Sequence, residues 1–245
     1  MIETNPHWRQ DPPAVTKRRE KMIGAILEQY VQQHGPLDKI NHLVQLTTFG
    51  GTGSSALSSY LRSHGVKLPE TPGEAPFKHQ RVPPAKMDVP AGFKAIYLYS
   101  DPRNVMLSIF RRGAIWEHYR GLFGRKPDAA TADLISDVSR FLLERSDAFD
   151  LLGHVDNWLL AGKGYPVMFL DFEALPEAWD ALRSFLELPE RVECMPLIER
   201  NCAWENLSAE SQRAISEIYE PVIARLAELP DVHIVDQDDL DSDRQ

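Results

Sequence analysis

The feature that most constrains the fold is a change of pattern between residues 43 and 57. An apolar run ends at the loop Thr-Thr-Phe-Gly-Gly-Thr-Gly-Ser-Ser, and helical spacing begins at Ala56. This order predicts a strand, a glycine-rich loop and a helix N-terminus. Backbone N–H groups of such a loop point one way at the positive end of a helix dipole, which suits an anion and above all a phosphate. The segment therefore predicts a phosphate-binding loop.

This loop differs from a Walker A loop, in which a lysine stands directly before the Ser or Thr. Here Gly53 is followed directly by Ser54, and residues 43–61 contain neither lysine nor arginine. We therefore expect the cationic partners of a phosphate to come from other parts of the chain.

Charge and composition exclude several classes of function. The formal net charge of −9 argues against nucleic acid as the main partner. No apolar run approaches the roughly 20 residues of a membrane helix, so we expect no membrane insertion. Residues 1–19 have no apolar signal core, and two cysteines, Cys194 and Cys202, make neither a disulfide framework nor a zinc site. We expect a cytoplasmic protein with no metal centre.

The remaining pattern alternates strands and helices. The predicted strands are 41–48, 94–99 and 166–170. The predicted helices are 15–33, 54–64, 105–112, 131–145, 147–162, 175–186 and 209–229. Residues 66–92 predict an extended, proline-rich loop, and residues 113–129 are expected to be irregular. The alternation predicts an α/β fold with a parallel sheet flanked by helices on both faces, in one domain over 14–235, between a loosely ordered 1–13 and an acidic tail, 236–245.

Ligands of such a sheet gather at the carboxyl ends of its strands. Three polar segments follow predicted strands: the glycine-rich loop, Ser100–Arg103 and Asp171–Glu173. His79, in the proline-rich loop, adds an imidazole that titrates near neutrality and can accept a proton from a hydroxyl. The sequence thus predicts an anion site with a neighbouring base.

A series of motifs runs in order from residue 43 to residue 206. Thr48–Leu57 is similar to T-Y-P-K-S-G-T-T-W-L, and Tyr97–Val105 with Ser108 is similar to Y-x-x-R-D-P-R-D-V-x-x-S. Shorter similarities are Lys78-His79 with Pro83-Pro84 to K-T-H-L-P, Gly153–Trp158 to D-H-V-x-x-W, Phe169–Leu175 to F-L-x-Y-E-D-L, Phe185–Pro189 to F-L-G-L-P and Trp204–Asn206 to W-K-N. In these motifs the chain resembles the sulfotransferases that use 3′-phosphoadenosine 5′-phosphosulfate (PAPS).

The resemblance implies a P-loop NTPase-like sulfotransferase architecture. It also implies transfer of a sulfuryl group from PAPS to a hydroxyl or amine of a small-molecule or glycan acceptor, with no metal. His79 matches the family's catalytic histidine, and we expect Lys78 beside it to supply a cation. The expected contacts with PAPS are Gly50, Gly51, Thr52, Gly53, Ser54 and Ser55 at the 5′-phosphosulfate, Arg103 and Ser108 at the 3′-phosphate, and Phe172 near the adenine.

Two positions depart from the family pattern. Gly51 stands where the family has the loop lysine, and Ser100 stands where it has the arginine that contacts the 3′-phosphate. Replacing an arginine by serine removes a bidentate, charge-assisted contact. Either other cations substitute, or the affinity for the donor is low, or the donor differs.

Other interpretations stay open at this point. The chain could be a nucleotide-dependent kinase on the same scaffold, although it lacks the Walker lysine, or a binding protein that has lost the chemistry. Arg103 could form a surface salt bridge with Asp101. Phe172 could be a core residue at a strand end, and His79 an exposed histidine without a role.

Overall fold

The computed structural model describes residues 44–68, 78–84, 89–113, 115–123, 126–160, 164–197, 203–230 and 232–235. The predicted helix at 15–33, the N-terminal residues 1–13 and the tail at 236–245 lie outside these ranges. So do Cys202 and residues 69–77 and 85–88 of the predicted proline-rich loop.

A four-stranded sheet forms the centre of the described structure. Its strands are β1 (Val44–Thr47), β2 (Lys94–Tyr99), β3 (Val167–Asp171) and β4 (Val232–Val235), in the spatial order β1-β2-β3-β4. β2 pairs in parallel with β1 and with β3, and β4 pairs antiparallel with β3. The prediction of an α/β fold with a mostly parallel sheet is confirmed, and β4 is an addition to the three predicted strands.

Helices connect the strands. The α-helices of the described residues are α1 (Ser54–Ser63), α2 (Pro102–Arg111), α3 (Ile115–Phe123), α4 (Ala129–Leu134), α5 (Val138–Glu144), α6 (Leu151–Leu160), α7 (Leu175–Phe185) and α8 (Ala209–Ala227), with a 3₁₀ turn at Trp204–Asn206. Side-chain caps explain several of the starts. The Asp101 side chain, directly before Pro102, accepts a hydrogen bond from the backbone N–H of Arg103 and starts α2. The Ser208 side chain accepts one from the backbone N–H of Ser211 and starts α8.

Alternate residues of the strands build a separate core on each face of the sheet. On one face, Tyr97 and Phe169 pack with α2, α6 and α8. On the other face, Ile96 and Met168 pack with α1 and α7. Burial on both faces explains why the central strands read as continuous apolar runs, and it confirms that helices flank the sheet on both sides.

Two predictions about helices were wrong. Residues 131–145 form two helices because the chain turns at Ile135–Asp137, where the Asp137 side chain accepts from the backbone N–H of Ser139 and starts α5. Residues 113–129, expected to be irregular, contain α3, whose Ile115, Tyr119 and Leu122 are buried in the core. Tertiary burial compensates for the weak local helix signal there.

The parallel arrangement brings the expected ligand segments to one edge of the sheet. The glycine-rich loop follows β1, the turn at Asp101 follows β2, and the turn at Asp171–Glu173 follows β3. None of the helices in the described part of the chain combines the length and hydrophobicity that crossing a membrane requires.

Candidate functional site

Left-handed backbone at three glycines shapes the loop between β1 and α1. The φ angles of Gly50, Gly51 and Gly53 are 107°, 67° and 82°. The Thr48 and Thr52 hydroxyl oxygens lie 2.7 Å apart across the loop, and the backbone N–H of Gly50 donates to the Thr48 hydroxyl over 3.1 Å. These hydrogen bonds hold the two ends of the loop together, and the backbone after Thr52 leads into the start of α1.

The N-terminus of α1 leaves backbone donors unpaired. Within the described ranges, no group accepts a hydrogen bond from the backbone N–H groups of residues 52–55, and Gly53 gives the helix no side-chain cap. The first intrahelical bonds are those from Ala56 and Leu57 to the Gly53 carbonyl, over 2.9 and 3.2 Å. The donors of this helix start are therefore available to an anion, which the helix dipole also favours.

Gly51 has no room for a side chain. A Cβ on Gly51 would lie 2.9 Å from the backbone oxygen of Val105 in α2 and 3.2 Å from the Val105 Cα. The φ angle of Gly51 is also one that residues with a side chain rarely adopt. A lysine at this position would push against the backbone of α2. The absence of the loop lysine is thus built into the packing of the loop on α2.

Lys78 supplies a cation at the same place. It opens the stretch 78–84, here called the histidine segment. Its Nζ lies 2.6 Å from the Ser55 hydroxyl oxygen in the first turn of α1, and its carbonyl accepts from the backbone N–H of Thr48 over 2.8 Å. Its ammonium therefore stands beside the α1 backbone donors that have no partner in the described ranges, where its charge would favour an anion.

His79, the second residue of the histidine segment, lies beside the start of the glycine-rich loop. Its Nδ1 is 3.0 Å from the carbonyl oxygen of Thr48. A carbonyl oxygen only accepts, so Nδ1 carries the hydrogen and Nε2 keeps a lone pair. Burial, together with the positive charges of Lys78 and Arg112, lowers the pKa of His79 to about 4, against the opposing effect of the Thr48 hydrogen bond. The imidazole is therefore neutral at neutral pH, in the form that can accept a proton.

Buried hydrogen bonds fix the position of the histidine segment. The Gln45 side chain in β1 donates to the Gln80 side chain over 3.0 Å, and the Trp158 indole in α6 donates to the Gln80 carbonyl over 2.8 Å. The next residue, Arg81, forms an ion pair with Asp150. These contacts tie the segment to β1 and to α6, so the position of Lys78 and His79 follows from the core and does not depend on a flexible loop.

The structure adds His118 of α3, which sequence reasoning missed. Only 7% of its surface is exposed, and its ring lies 4.9 Å from that of His79 with the two planes at 73°. A Cβ on Gly50 would lie 2.2 Å from its Cε1. Burial lowers the pKa of His118 well below its usual value, and a hydrogen bond to the carbonyl of Phe49 opposes the shift. No local signal in the sequence points to His118, since the pattern of residues 113–129 predicts irregular structure.

The arginine expected at the 3′-phosphate is held by protein groups. The Arg103 guanidinium donates to both carboxylate oxygens of Asp101, over 2.6 to 3.1 Å, and lies 3.7 Å from the centre of the Trp204 ring. Ser108, half-buried on α2, stands about one turn and a half further along the same helix. The structure thus brings Arg103 and Ser108 to one helix, with Arg103 in a salt bridge.

Ser100 and Glu173 form a second contact at this edge of the sheet. The Ser100 hydroxyl, in a residue that is 1% exposed, donates to the Glu173 carboxylate over 2.9 Å. The position where the family has an arginine therefore faces a carboxylate of this chain. Charge for a phosphate at this end would have to come from α2.

Phe172 lies against the loop from the turn after β3. It is 5% exposed, belongs to the core shared by α1 and α7, and its ring occupies the space next to Gly53, where a Cβ would come within 2.4 Å of it. Its contact with the loop explains why residue 53 is a glycine. Its expected place near an adenine stays a prediction.

A separate cavity of about 540 Å³ opens on another face of α2. Leu107 lies about 200° around the helix from Val105, which contacts the loop. The cavity therefore faces away from the glycine-rich loop. The side chains that line it come from α2, from the turn before α5 and from the 3₁₀ turn: Leu107, Phe110, Arg111, Ser136, Asp137, Val138, Ala203, Asn206 and Leu207.

Comparison with known proteins gives no family. No protein-family model matches the chain, and no curated protein matches it. Over the described ranges, His, Cys, Asp and Glu side chains form no group of three or more that could hold a metal ion. The features that bear on function are therefore the glycine-rich loop and the two histidines that contact it, His79 and His118.

Proposed function

We propose that this chain transfers a sulfuryl group from PAPS to a hydroxyl or amine of a small-molecule or glycan acceptor, on a P-loop-like α/β scaffold. One observation carries the proposal. The glycine-rich loop and the start of α1 carry N–H groups without a partner in the described ranges, and Lys78 and His79 of the histidine segment both contact this loop. Anion binding and proton acceptance are therefore neighbours, as a sulfuryl transfer requires.

The loop is the proposed site of the 5′-phosphosulfate. The N–H groups of Thr52, Gly53, Ser54 and Ser55 would donate to its oxygens, and Lys78 would contribute the positive charge that Gly51 cannot provide. Hydrogen bonds to an ionised acceptor are shorter and roughly twice as strong as neutral ones. These donors are fixed before the ligand arrives, because helix geometry and the bonds of the loop orient them.

The reaction follows from the tautomer of His79. The Nε2 lone pair accepts the proton of the acceptor hydroxyl while the acceptor oxygen forms a bond to sulfur. The bond between sulfur and the bridging phosphate oxygen breaks in line, and the negative charge that grows on that phosphate is stabilised by Lys78 and by the backbone donors. The imidazolium of His79 then returns its proton to solvent. No step in this sequence calls for a metal.

The 3′-phosphoadenosine end would lie along the edge formed by α2. Arg103 and Ser108 are the proposed contacts of the 3′-phosphate, with Phe172 near the adenine. For Arg103, this requires that the salt bridge with Asp101 leave at least one guanidinium N–H for the phosphate. The guanidinium carries five donors, which makes shared use possible.

The test is a titration with 3′-phosphoadenosine 5′-phosphate, followed by thermal unfolding. A ligand at 100 times its Kd adds about 2.7 kcal/mol to the free energy of unfolding, so a clear rise in Tm is expected. No rise at millimolar ligand would overturn PAPS binding. Stabilisation by ATP with Mg²⁺ in its place would favour the nucleotide-dependent kinase. The control is adenosine, which shares the base and ribose and lacks both phosphates.

A further inference from the structure

Two imidazoles face adjacent residues of the glycine-rich loop. His79 Nδ1 lies 3.0 Å from the Thr48 oxygen. The backbone of Phe49 opposes the lowering of the pKa of His118, as a carbonyl beside an imidazole does. Nε2 of His118 is buried and has no hydrogen-bond partner within the described ranges, which leaves Nδ1 to face the Phe49 carbonyl. This arrangement favours the same tautomer in both rings, with the hydrogen on Nδ1 and a lone pair on Nε2.

The space for His118 is made by a glycine. The position of a Cβ on Gly50 lies 2.2 Å from Cε1, 3.0 Å from Nε2 and 3.1 Å from Nδ1 of His118, so any side chain at residue 50 would displace the ring. The φ of 107° at Gly50 is also one that L-residues rarely adopt. His118 therefore packs directly on the loop backbone, and the loop conformation and the ring position depend on one another.

His118 also contacts the proposed base. The two ring centres are 4.9 Å apart in an edge-to-face arrangement, which is a favoured geometry for aromatic pairs. A displacement of the His118 ring would therefore change the surroundings of the His79 ring. His118 also packs near Phe149, whose ring centre is 6.0 Å away.

We propose that His118 is a positioning residue for His79, and that the two imidazoles and the backbone of residues 48–50 form one rigid unit. This inference rests on the proposed function, in which His79 is the base and the loop holds the phosphosulfate. The unit fixes the distance between proton acceptor and anion site. A misplacement of about 1 Å in such a geometry costs on the order of 100-fold in rate.

The charges around the unit are consistent with neutral imidazoles. Lys78 and Arg112 lie close enough to disfavour protonation of His79, and Arg112 and His79 do the same for His118. A leucine at position 118 would fill part of the space and leave the Phe49 carbonyl without its donor. An asparagine would retain a donor at the position of Nδ1.

The experiment is ¹⁵N NMR of the histidine rings in the wild type, His118→Leu and His118→Asn. We expect His79 to show one tautomer, with the hydrogen on Nδ1, in the wild type and in H118N. In H118L we expect the loss of that single-tautomer pattern, with signals of both tautomers or exchange broadening. The matched control is His64→Leu, because His64 Nδ1 also bonds a backbone carbonyl, that of Tyr60 at 2.9 Å, at the far end of α1.

The same samples separate this inference from the proposed function. If H118L leaves the tautomer of His79 unchanged, the positioning role is wrong, whether or not the protein binds 3′-phosphoadenosine 5′-phosphate. If the tautomer pattern is lost in H118L and that ligand never binds, the rigid unit stands and the sulfotransferase proposal fails. Should H118L not fold, His118→Gln replaces it, because Gln places its amide near Nε2 and not near Nδ1. The same loss is then expected, and an unchanged pattern overturns the proposal.

Discussion

The backbone oxygen of Val105 lies 2.9 Å from the point where a Cβ on Gly51 would stand. The glycine-rich loop thus packs backbone to backbone on α2, closer than a side chain at residue 51 permits. The ammonium of Lys78 reaches the first turn of α1, 2.6 Å from the Ser55 hydroxyl. The positive charge beside the loop therefore comes from the histidine segment and not from the loop itself.

The close approach at Gly51 predicts the effect of a small substitution. Gly51→Ala should lower the free energy of unfolding by more than Gly65→Ala does, because Gly65 shares a positive φ, 87°, and has nothing within 4 Å of its Cβ position. The positive φ alone costs about 1 kcal/mol, and the contact with Val105 adds to the cost at residue 51. Urea unfolding of both variants measures the difference. Equal losses would contradict the packing argument.

Loss of the Lys78 ammonium should weaken anion binding at the loop. We expect Lys78→Met to reduce the affinity for 3′-phosphoadenosine 5′-phosphate about 10- to 100-fold, since a hydrogen bond to a charged group contributes about 1.5–3 kcal/mol. Calorimetric titration measures the change. Lys67→Met is the matched control, because Lys67 is exposed and makes its one described contact through its backbone carbonyl. Similar affinities in the two variants would show that Lys78 does not contact the ligand.

The lowered pKa of His79 predicts how stability depends on pH. Its pKa is about 4 in the folded protein and 6.5 in an unfolded chain, so between these values the unfolded state binds the proton and the folded state does not. The free energy of unfolding should therefore fall as the pH drops from 6.5 to 4, by at most about 1.4 kcal/mol per pH unit for this group. His118 acts in the same direction.

A half-buried carboxyl acts in the opposite direction over part of that range. Burial raises the pKa of Asp147 to about 6, so the folded state binds its proton first, and this contribution to stability grows as the pH falls below 6. A variant isolates the histidine. His79→Asn removes the titrating group, and we expect it to lose less stability than the wild type between pH 6.5 and 4. Parallel pH curves for the two proteins would contradict the assignment of a neutral, buried His79.

Arg103 allows a test that separates structure from ligand binding. Arg103→Met removes the pair with Asp101 and the contact with Trp204, and should lower the free energy of unfolding by about 1–2 kcal/mol. If Arg103 also contacts the 3′-phosphate, the affinity for 3′-phosphoadenosine 5′-phosphate falls at least about tenfold in this variant. The affinity for adenosine 5′-phosphosulfate, which has no 3′-phosphate, should not change. An equal loss for both ligands would argue for a structural role alone.

The tie between Trp158 and Gln80 predicts a local effect on the base. Trp158→Phe removes the donor to the Gln80 carbonyl, and leaving that buried group unpaired costs about 1–3 kcal/mol. Trp179→Phe is the control, because the Trp179 indole donates to a backbone carbonyl, that of Val192, in the other core. Both variants should lose stability, and only W158F should shift the NMR signals of His79. Shifts of His79 in both would indicate a general loosening of the fold.

The first three strands and the loop could be predicted because their signals are local. A short apolar run ending in glycines or in Asp-Pro leaves few alternatives. β4 could not be predicted in this way. Its four residues, Val232–Val235, are only partly buried, and they become a strand by pairing with β3. The preference of the isolated segment is too weak to show this pairing.

The site was predictable in part for the same reason. The sequence indicated the loop and His79, since both are recognisable from residue type and neighbours. Lys78 and His79 lie in a turn, so the alternation of a strand does not apply, and both side chains reach the glycine-rich loop. His118 depends on the packing of α3 against a segment 39 residues earlier in the chain, which no local pattern encodes.

The histidine segment has a consequence for solubility. In the described sheet β1 is the terminal strand, and an uncovered strand edge is a template for association with other chains. The backbone bond from Thr48 to Lys78 lies just past the end of β1, and the buried Gln45–Gln80 pair joins the segment to the strand itself. The residues proposed for binding and proton transfer therefore belong to a segment that is held against the terminal strand of the described sheet. Loss of these contacts would expose more of β1 and disturb the candidate site at the same time.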